Sequence, residues 1–388
     1  MRRSIRSLLV ATAAATALVL PLCAATAASA APPGFSNADK DALRNQAPRD
    51  LAIGSAVWAQ QHLVGYDASA PTEFQQVLAG QFSSLTPEND MKWDAVHPAP
   101  GVYDFTSADA LIAFAEANHQ QVRGHTLLWH SQNPAWVTAA SATWTCDDAR
   151  AVLEDHIRTV VGHFKGKIYE WDVANEIFQD EWDNGGVKLR TTANPFLKAC
   201  AADPVGLLAD AFRWAHEADP DAVLFLNDYN AEGINAKTDA YYALAQQLLA
   251  AGAPLGGFGA QGHLSLLYGF DTSIQANFER SAALGLKVAV TEADVRIPLQ
   301  EGETGPTPEQ VAVQAERYDA MLQACLNVTA CSSFTVWGFS DAYSWVPGVF
   351  PGEGWATITD EKFTPKPAFY ALLGSLRDAT PGTSPRRG

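Results

Sequence analysis

Eight short apolar segments alternate with amphipathic stretches along this chain, and that alternation restricts the possible folds more than any other feature. The segments are Ile53–Trp58, Ser84–Asn89, Gln121–Trp129, Ile168–Glu176, Ala222–Asn230, Gly257–Ser265, Lys287–Asp294 and Ser333–Asp341, and each ends in polar or aromatic residues. Between them lie helical patterns such as Ser107–His119, Asp147–Phe164, Pro204–Ala218, Lys237–Ala251, Thr272–Leu284 and Thr307–Leu326. A helix between successive strands carries the chain back to the same end of the sheet, so the strands run parallel and are covered by helices. Eight such units predict an α/β fold, a closed (β/α)8 TIM barrel in one domain, over an open doubly wound sheet.

The unusual polar residues support this reading by where they fall. Glu88, Asn89, His125, Trp129, Asn175, Glu176, Asn227, Gln261, His263, Glu292, Asp294 and Trp337 all lie at or just past the C-terminal end of a predicted strand. Polar residues scattered by chance would appear at both ends. In α/β barrels the C-terminal face carries the functional site.

The N-terminal stretch reads differently. Met1, Arg2, Arg3 and Arg6 form a basic start, an apolar run extends from Leu8 to about Ala25 and is interrupted by Pro21, and Ala28-Ser29-Ala30 supplies a small-residue cleavage pattern. Residues 1–30 are therefore expected to be a secretory signal peptide, and the mature protein to be secreted and extracellular. Leu22 before Cys23 is too bulky for the usual lipoprotein signal, and no other segment is long and apolar enough to span a membrane. Residues 31–377 then form the barrel, and 378–388, short, polar and containing Pro and Gly, a disordered tail without an appended binding module.

Charge narrows the partners. The formal net charge is −17, and removal of Arg2, Arg3 and Arg6 makes it −17 − 3 = −20. Such a surface repels nucleic acid and anionic lipid but is indifferent to a neutral polysaccharide. Outside the leader the cysteines are Cys146, Cys200, Cys325 and Cys331, an even number that in an exported protein reads as two disulfides. Cys325–Cys331 closes a tight loop, which leaves Cys146–Cys200. A zinc site is the alternative use of these cysteines, but no CxxC or HxxxH spacing supports it, and no metal or organic cofactor is expected.

The chemistry concentrates at two strand ends. Trp171-Asp172-Val173-Ala174-Asn175-Glu176 brings Asp, Asn and Glu into five positions at the end of an apolar segment. Buried carboxylates cost several kcal/mol unless paired, so the ordinary explanation is a structural ion-pair cluster. The functional one is a carboxylic acid kept protonated to donate to a leaving group. Val288-Ala289-Val290-Thr291-Glu292-Ala293-Asp294 ends in the same manner. Two glutamates on one barrel face form the pair that cleaves glycosides. One protonates the glycosidic oxygen while the other attacks the anomeric carbon or activates water, and a separation of about 5–5.5 Å or about 6.5–9.5 Å distinguishes retention from inversion.

With these segments the chain resembles glycoside hydrolase family 10, the (β/α)8 endo-β-1,4-xylanases. The resemblance rests on Thr86-Pro87-Glu88-Asn89-Asp90-Met91-Lys92-Trp93, Gly124-His125-Thr126-Leu127-Leu128-Trp129-His130, Trp171–Glu176, Thr291–Asp294, Val336-Trp337-Gly338 and Lys366-Pro367-Ala368, in that order, and covers about residues 36–376. It implies Glu176 as general acid/base and Glu292 as nucleophile of a retaining double displacement. In support, Asn175 would bond the sugar 2-hydroxyl, His263 the nucleophile, Asp294 that histidine, and His130 the surroundings of the acid/base. Glu88, Asn89, Lys92, His125, Trp129 and Gln132 match the family's glycone-side contacts, and Gln261 is a further substrate contact. Trp337 and Trp345 would flank the sugar next to the cleavage point, and Tyr229 and Asn230 fall on the aglycone side. Trp171, Trp144 and Trp214 read as core, while Trp58, Trp93 and Trp136 fit packing or the rim.

Ala174 and Ala293 stand where the family more often has larger apolar residues, and Asp180–Ala199 reads as a long loop after the acid/base strand. The expected substrates are xylan and xylo-oligosaccharides, and the expected state is a monomer. A cellulase or mixed-linkage glucanase on a similar barrel is the enzymatic alternative, and a non-catalytic carbohydrate-binding or inhibitor barrel the non-enzymatic one.

Overall fold

The structure, a computed structural model, describes residues 41–180, 186–299 and 305–379. Eight parallel strands close a barrel: Ala52–Val57, Ser84–Pro87, Gln121–Gly124, Ile168–Asn175, Val223–Asp228, Gly257–Ala260, Lys287–Pro298 and Cys331–Val336. Each pairs with the next, and the first pairs with the eighth through Ala52–Ser333 to Ser55–Val336, which leaves no open edge. Helices follow each strand and shield its outer face. The predicted Pro204–Ala218 helix has those bounds, and Thr106–Ala117, Cys146–His163, Ala236–Ala250, Ile274–Ala282 and Pro308–Leu326 differ by a few residues at their ends. Two barrel helices were not singled out in the sequence: Glu73–Gln81 after the first strand and Pro367–Ala379 after the eighth. The first carries a capping box between Thr72 and Gln75 that marks its start locally. The second takes in Asp378, so the ordered barrel reaches at least one residue past the predicted 377 boundary.

Three segments depart from the sequence reading. The third strand stops at Gly124, short of the expected Trp129, and a cis peptide joins His125 and Thr126. Pairing to the fourth strand resumes when Leu127 N and Leu128 N donate to Asp172 O and Val173 O, at 3.0 Å each. The expected Gly257–Ser265 strand is two pieces, because Gly262 at φ +81 turns the chain after Ala260 and His263–Ser265 begins a separate short strand. The seventh strand continues past Asp294 to Pro298. Its outer half finds backbone partners in His263–Ser265 and in Glu353–Gly354, so Glu292 and Asp294 lie within a paired strand rather than at its end.

The barrel interior is partly polar. Arg123 is fully buried, with a bidentate pair to Asp172 and Glu170 at 3.5 Å. Gly124 is demanded by Trp171, which is fully buried as core: a Cβ there would lie 2.2 Å from Trp171 Cε3. Trp144 and Trp214 are only partly buried, against the outside of the core. Cys146–Cys200 ties the start of the Cys146–His163 helix to the segment after the fourth strand, and Cys325–Cys331 ties the Pro308–Leu326 helix to the eighth strand. That segment after the fourth strand is not loop throughout, since Pro195–Ala199 is a short helix capped by Asn194. Among the described residues no helix is long and apolar enough to cross a membrane. The expected signal peptide and residues 380–388 of the expected tail lie outside the described residues.

Candidate active site

One cleft of about 1240 Å³ opens at the C-terminal face of the barrel. Of the residues singled out by sequence, Glu88, Asn89, Lys92, His125, Trp129, Gln132, Glu176, Tyr229, Asn230, Gln261, His263, Glu292, Trp337 and Trp345 line it. Asn175, Asp294 and His130 do not; Asn175 and Asp294 are buried behind the lining. The fourth strand carries Glu176 just past its last residue, and the seventh carries Glu292 across the barrel mouth.

Glu292 is almost wholly buried and held by three side chains. Asn227 Nδ2 donates to its Oε1 at 2.7 Å, His263 Nε2 lies 3.3 Å from Oε2, and His125 Nδ1 lies 3.9 Å from Oε1. Burial alone would raise this carboxyl, but the fields of His125 and His263 and the bonds from His263 and Asn227 outweigh it and hold the group at about 2. His263 shows the converse. Burial disfavours its charged form, yet Asp294, 2.9 Å from Nδ1, and Glu292 raise it to about 10. Asp294 also accepts from Trp345 Nε1 at 2.7 Å, so Trp345 is both a cleft wall and an anchor of this relay. His125 is fixed by Asp172, 2.9 Å from Nδ1, which is itself paired to Arg123.

Glu176 has a different shell. Trp129 Nε1 donates to Oε2 at 2.8 Å and Gln261 Nε2 to Oε1 at 3.1 Å. His130 Nδ1 is 3.8 Å from Oε2, too far for a hydrogen bond, so the contact of His130 with Glu176 is electrostatic. Its own side chain is only part exposed, and burial lowers its basicity against the field of Glu176.

A chain of amides links the two carboxyl groups. Asn227 has its orientation set twice, because Nδ2 donates to Glu292 while Oδ1 accepts from Thr291 Oγ1 at 2.7 Å. Asn175 must therefore turn its oxygen to Asn227 Nδ2, at 2.8 Å, and to Gln261 Nε2, at 3.3 Å. Its Nδ2 then sits 3.3 Å from Trp129 Nε1, whose single N–H is given to Glu176. In the sequence Asn227 reads only as a strand-end residue, with no local sign of a place in the site. The available signal was its register, one residue before Asp228 on a strand paired to the Asn175 strand.

On the side of the second and third strands, Lys92 Nζ donates to Asn89 Oδ1 at 3.1 Å and to Gln132 Oε1 at 2.8 Å. Burial raises Glu88 to about 7 against the field of Lys92. Trp337 is nearly buried, edge-on to His125 at 5.3 Å and to His263 at 6.1 Å. Trp93 is packing, with Nε1 bonded to Leu127 O, Trp136 is half-buried with Nε1 on His97 O, and Trp58 is exposed. Among the described residues, His125, Asp172 and Glu292 offer ligand atoms within 4.8 Å of one another, but Asp172 is already paired to Arg123 and bonded to His125, and Glu292 accepts from Asn227.

Two glutamates in one cleft, with His125, His263 and Asn227 favouring the ionised form of Glu292, are the side-chain types that glycoside cleavage uses. Residues 42–375 match the family model for glycosyl hydrolase family 10. The chain belongs to glycosyl hydrolase family 10. It is a glycoside hydrolase, and family 10 relatives cover most of its length. An endo-1,4-beta-xylanase B of Thermotoga neapolitana is 39% identical over 77% of this chain and 82% of the relative. A beta-1,4-xylanase of Dictyoglomus thermophilum is 38% identical over 83% of this chain and 88% of the relative. The crystal structure of native xylanase 10B from Thermotoga maritima superimposes with a TM-score of 0.78 at 40% identity, over 87% of this chain and 98% of that one. The xylanase 10B of Thermotoga petrophila, solved in complex with xylobiose, gives 0.77 at 40% identity, over 87% and 97%.

Proposed function

We propose that this glycoside hydrolase is a secreted, monomeric endo-1,4-β-xylanase that cleaves internal bonds of xylan and xylo-oligosaccharides with retention. The observation that carries the mechanism is the contrast between the two glutamates. Glu292 is buried among His263, His125 and Asn227, which favour its ionised form, as a nucleophile requires. Glu176 has one oxygen on Trp129 and the other on Gln261, at the cleft surface where a leaving oxygen would arrive. In the first step Glu292 attacks the anomeric carbon as Glu176 protonates the departing oxygen. In the second, Glu176 removes a proton from water, which displaces Glu292 and restores both groups. Asn175, its oxygen held by Asn227, turns its amide donor to the 2-hydroxyl, a contact that strengthens toward the oxocarbenium-like transition state.

Xylan is favoured as substrate because the relatives are named as xylanases and because Trp337 and Trp345 crowd the sugar beside Glu292, against a ring bearing a hydroxymethyl group. The chemistry needs no metal. In this reading residues 1–30 are a removed leader, the catalytic domain runs from 31 through the Pro367–Ala379 helix with a short tail after it, and the acidic mature surface keeps the enzyme off nucleic acid and membranes. Proton NMR of the first products from a linear xylan tests substrate, endo action and stereochemistry together. Initial β-anomeric oligosaccharides are expected; initial α-anomers, or faster cleavage of carboxymethylcellulose than of xylan, would overturn the reading. Glu292→Ala should abolish turnover without unfolding the chain, and unchanged hydrolysis would refute its role.

A further inference from the structure

Near Glu176 the cleft is lined by Asp180 and Lys237, and Asp228 is buried against Lys237; the mechanism above does not use these three charged residues. Lys237, Asp180 and Asp228 are 3%, 5% and 0% exposed. All three protons of the Lys237 ammonium are directed: to Asp180 Oδ1 at 3.0 Å, to Asp228 Oδ1 at 2.7 Å and to Tyr229 O at 2.9 Å. Asp180 also holds the cleft wall. Its Oδ2 accepts from Tyr229 Oη at 2.7 Å and its Oδ1 from Asn230 Nδ2 at 3.3 Å.

The same cluster reaches the acid/base. Arg190 Nη2 donates to Tyr229 Oη at 2.8 Å while its Nε donates to the backbone oxygen of Glu176 at 2.9 Å. On the other side Tyr241 Oη donates to Asp228 Oδ2 at 2.5 Å and accepts from Ile177 N at 3.2 Å. Glu176 lies between these ties at φ +51, an uncommon conformation for a glutamate that needs its surroundings to hold it. A buried ionic cluster gives little stability over apolar side chains of the same size. Fixing direction is what it does better, since each carboxylate oxygen and each ammonium proton accepts only a few geometries.

We propose that Asp180 and Lys237 are positioning residues for the leaving-group half of the cleft, holding Tyr229 and Asn230 in one rigid frame with the backbone of Glu176. This rests on the xylanase reading and deepens it: sugar beyond the scissile bond binds to a surface whose placement relative to the proton donor is set by one buried ion cluster. Binding energy from that sugar is realised in the transition state only if the surface and the acid stay in register.

The test compares two substrates on full-length enzyme. Linear xylopentaose must place sugars on the Tyr229 side, whereas 2,4-dinitrophenyl β-xylobioside has a leaving group that needs neither those contacts nor protonation. For Asp180→Asn the ratio of kcat/KM on xylopentaose to that on the aryl xylobioside is expected to fall at least tenfold. Tyr229→Phe, which keeps the ring and removes only the hydroxyl that Asp180 holds, should lower the same ratio by a smaller factor, and decides the matter if Asp180→Asn does not fold, as judged by its melting temperature. An unchanged ratio in the folded variants, or equal losses on both substrates, overturns the proposal. Wild-type enzyme inactive on both substrates would instead overturn the xylanase reading.

Discussion

Replacing His263 by alanine is the sharpest probe of how Glu292, the proposed nucleophile, is kept ionised. Glu292 lies at about 2 instead of 4.5 despite near-complete burial. That lowering amounts to about 3 kcal/mol in favour of the carboxylate, at about 1.4 kcal/mol for each pH unit. Its partners must supply more than this, because burial works in the opposite direction. The His263 Nε2 contact is long at 3.3 Å, so the lower part of the range for a hydrogen bond to a charged group, about 1.5–3 kcal/mol, applies. Losing it, with the charge that Asp294 sustains on the ring, should raise Glu292 by about one to two pH units. The assay is the pH dependence of kcat/KM on an activated aryl xylobioside. Its acid limb reports ionisations of the free enzyme, and the leaving group removes the need for an acid. The limb should move to higher pH by that amount. An acid limb within about 0.3 of the wild-type midpoint, outside ordinary fitting error for a shift of one unit or more, would refute the assignment of His263 as the group holding the charge.

Three further outcomes are expected. The Glu292–His263 pair should shape stability against pH: the depressed carboxyl contributes above pH 4.5 and is lost as pH falls toward 2, and the raised imidazole contributes below 6.5 and is lost as pH rises toward 10. Denaturant unfolding at intervals from pH 3 to 10 should therefore show both limbs flattened in His263→Ala. Removing Cys146–Cys200 by a double serine substitution opens a loop of 54 residues, for which the chain-entropy model gives a loss of about 4 kcal/mol, measurable as a lower urea midpoint. Gly124→Ala drives a methyl into Trp171 at 2.2 Å and should cost about 3 kcal/mol or more, with the near-ultraviolet circular dichroism of Trp171 altered.

The period of the apolar segments made the barrel legible, because a parallel strand buried on both faces and a helix buried on one leave different marks in a sequence. The polar residues at strand ends pointed to one face, and both glutamates stand on it within one cleft. Where each strand stops was less legible. Asp294 looks terminal in sequence, but the strand runs on to Pro298 because distant segments at His263 and Glu353 pair with it. Asn227 shows the limit more clearly. An asparagine on an apolar strand carries no local sign that its amide will meet a carboxylate 65 residues away. That meeting exists only because barrel closure turns the fifth and seventh strands toward a common axis. The two glutamates closing apolar segments and the repeating strand–helix rhythm belong to the sequence by itself. The contrast in their surroundings, His263 and Asn227 on one and Trp129 and Gln261 on the other, was decided by the tertiary structure, because it takes side chains from separate strands to make the two carboxyl environments differ.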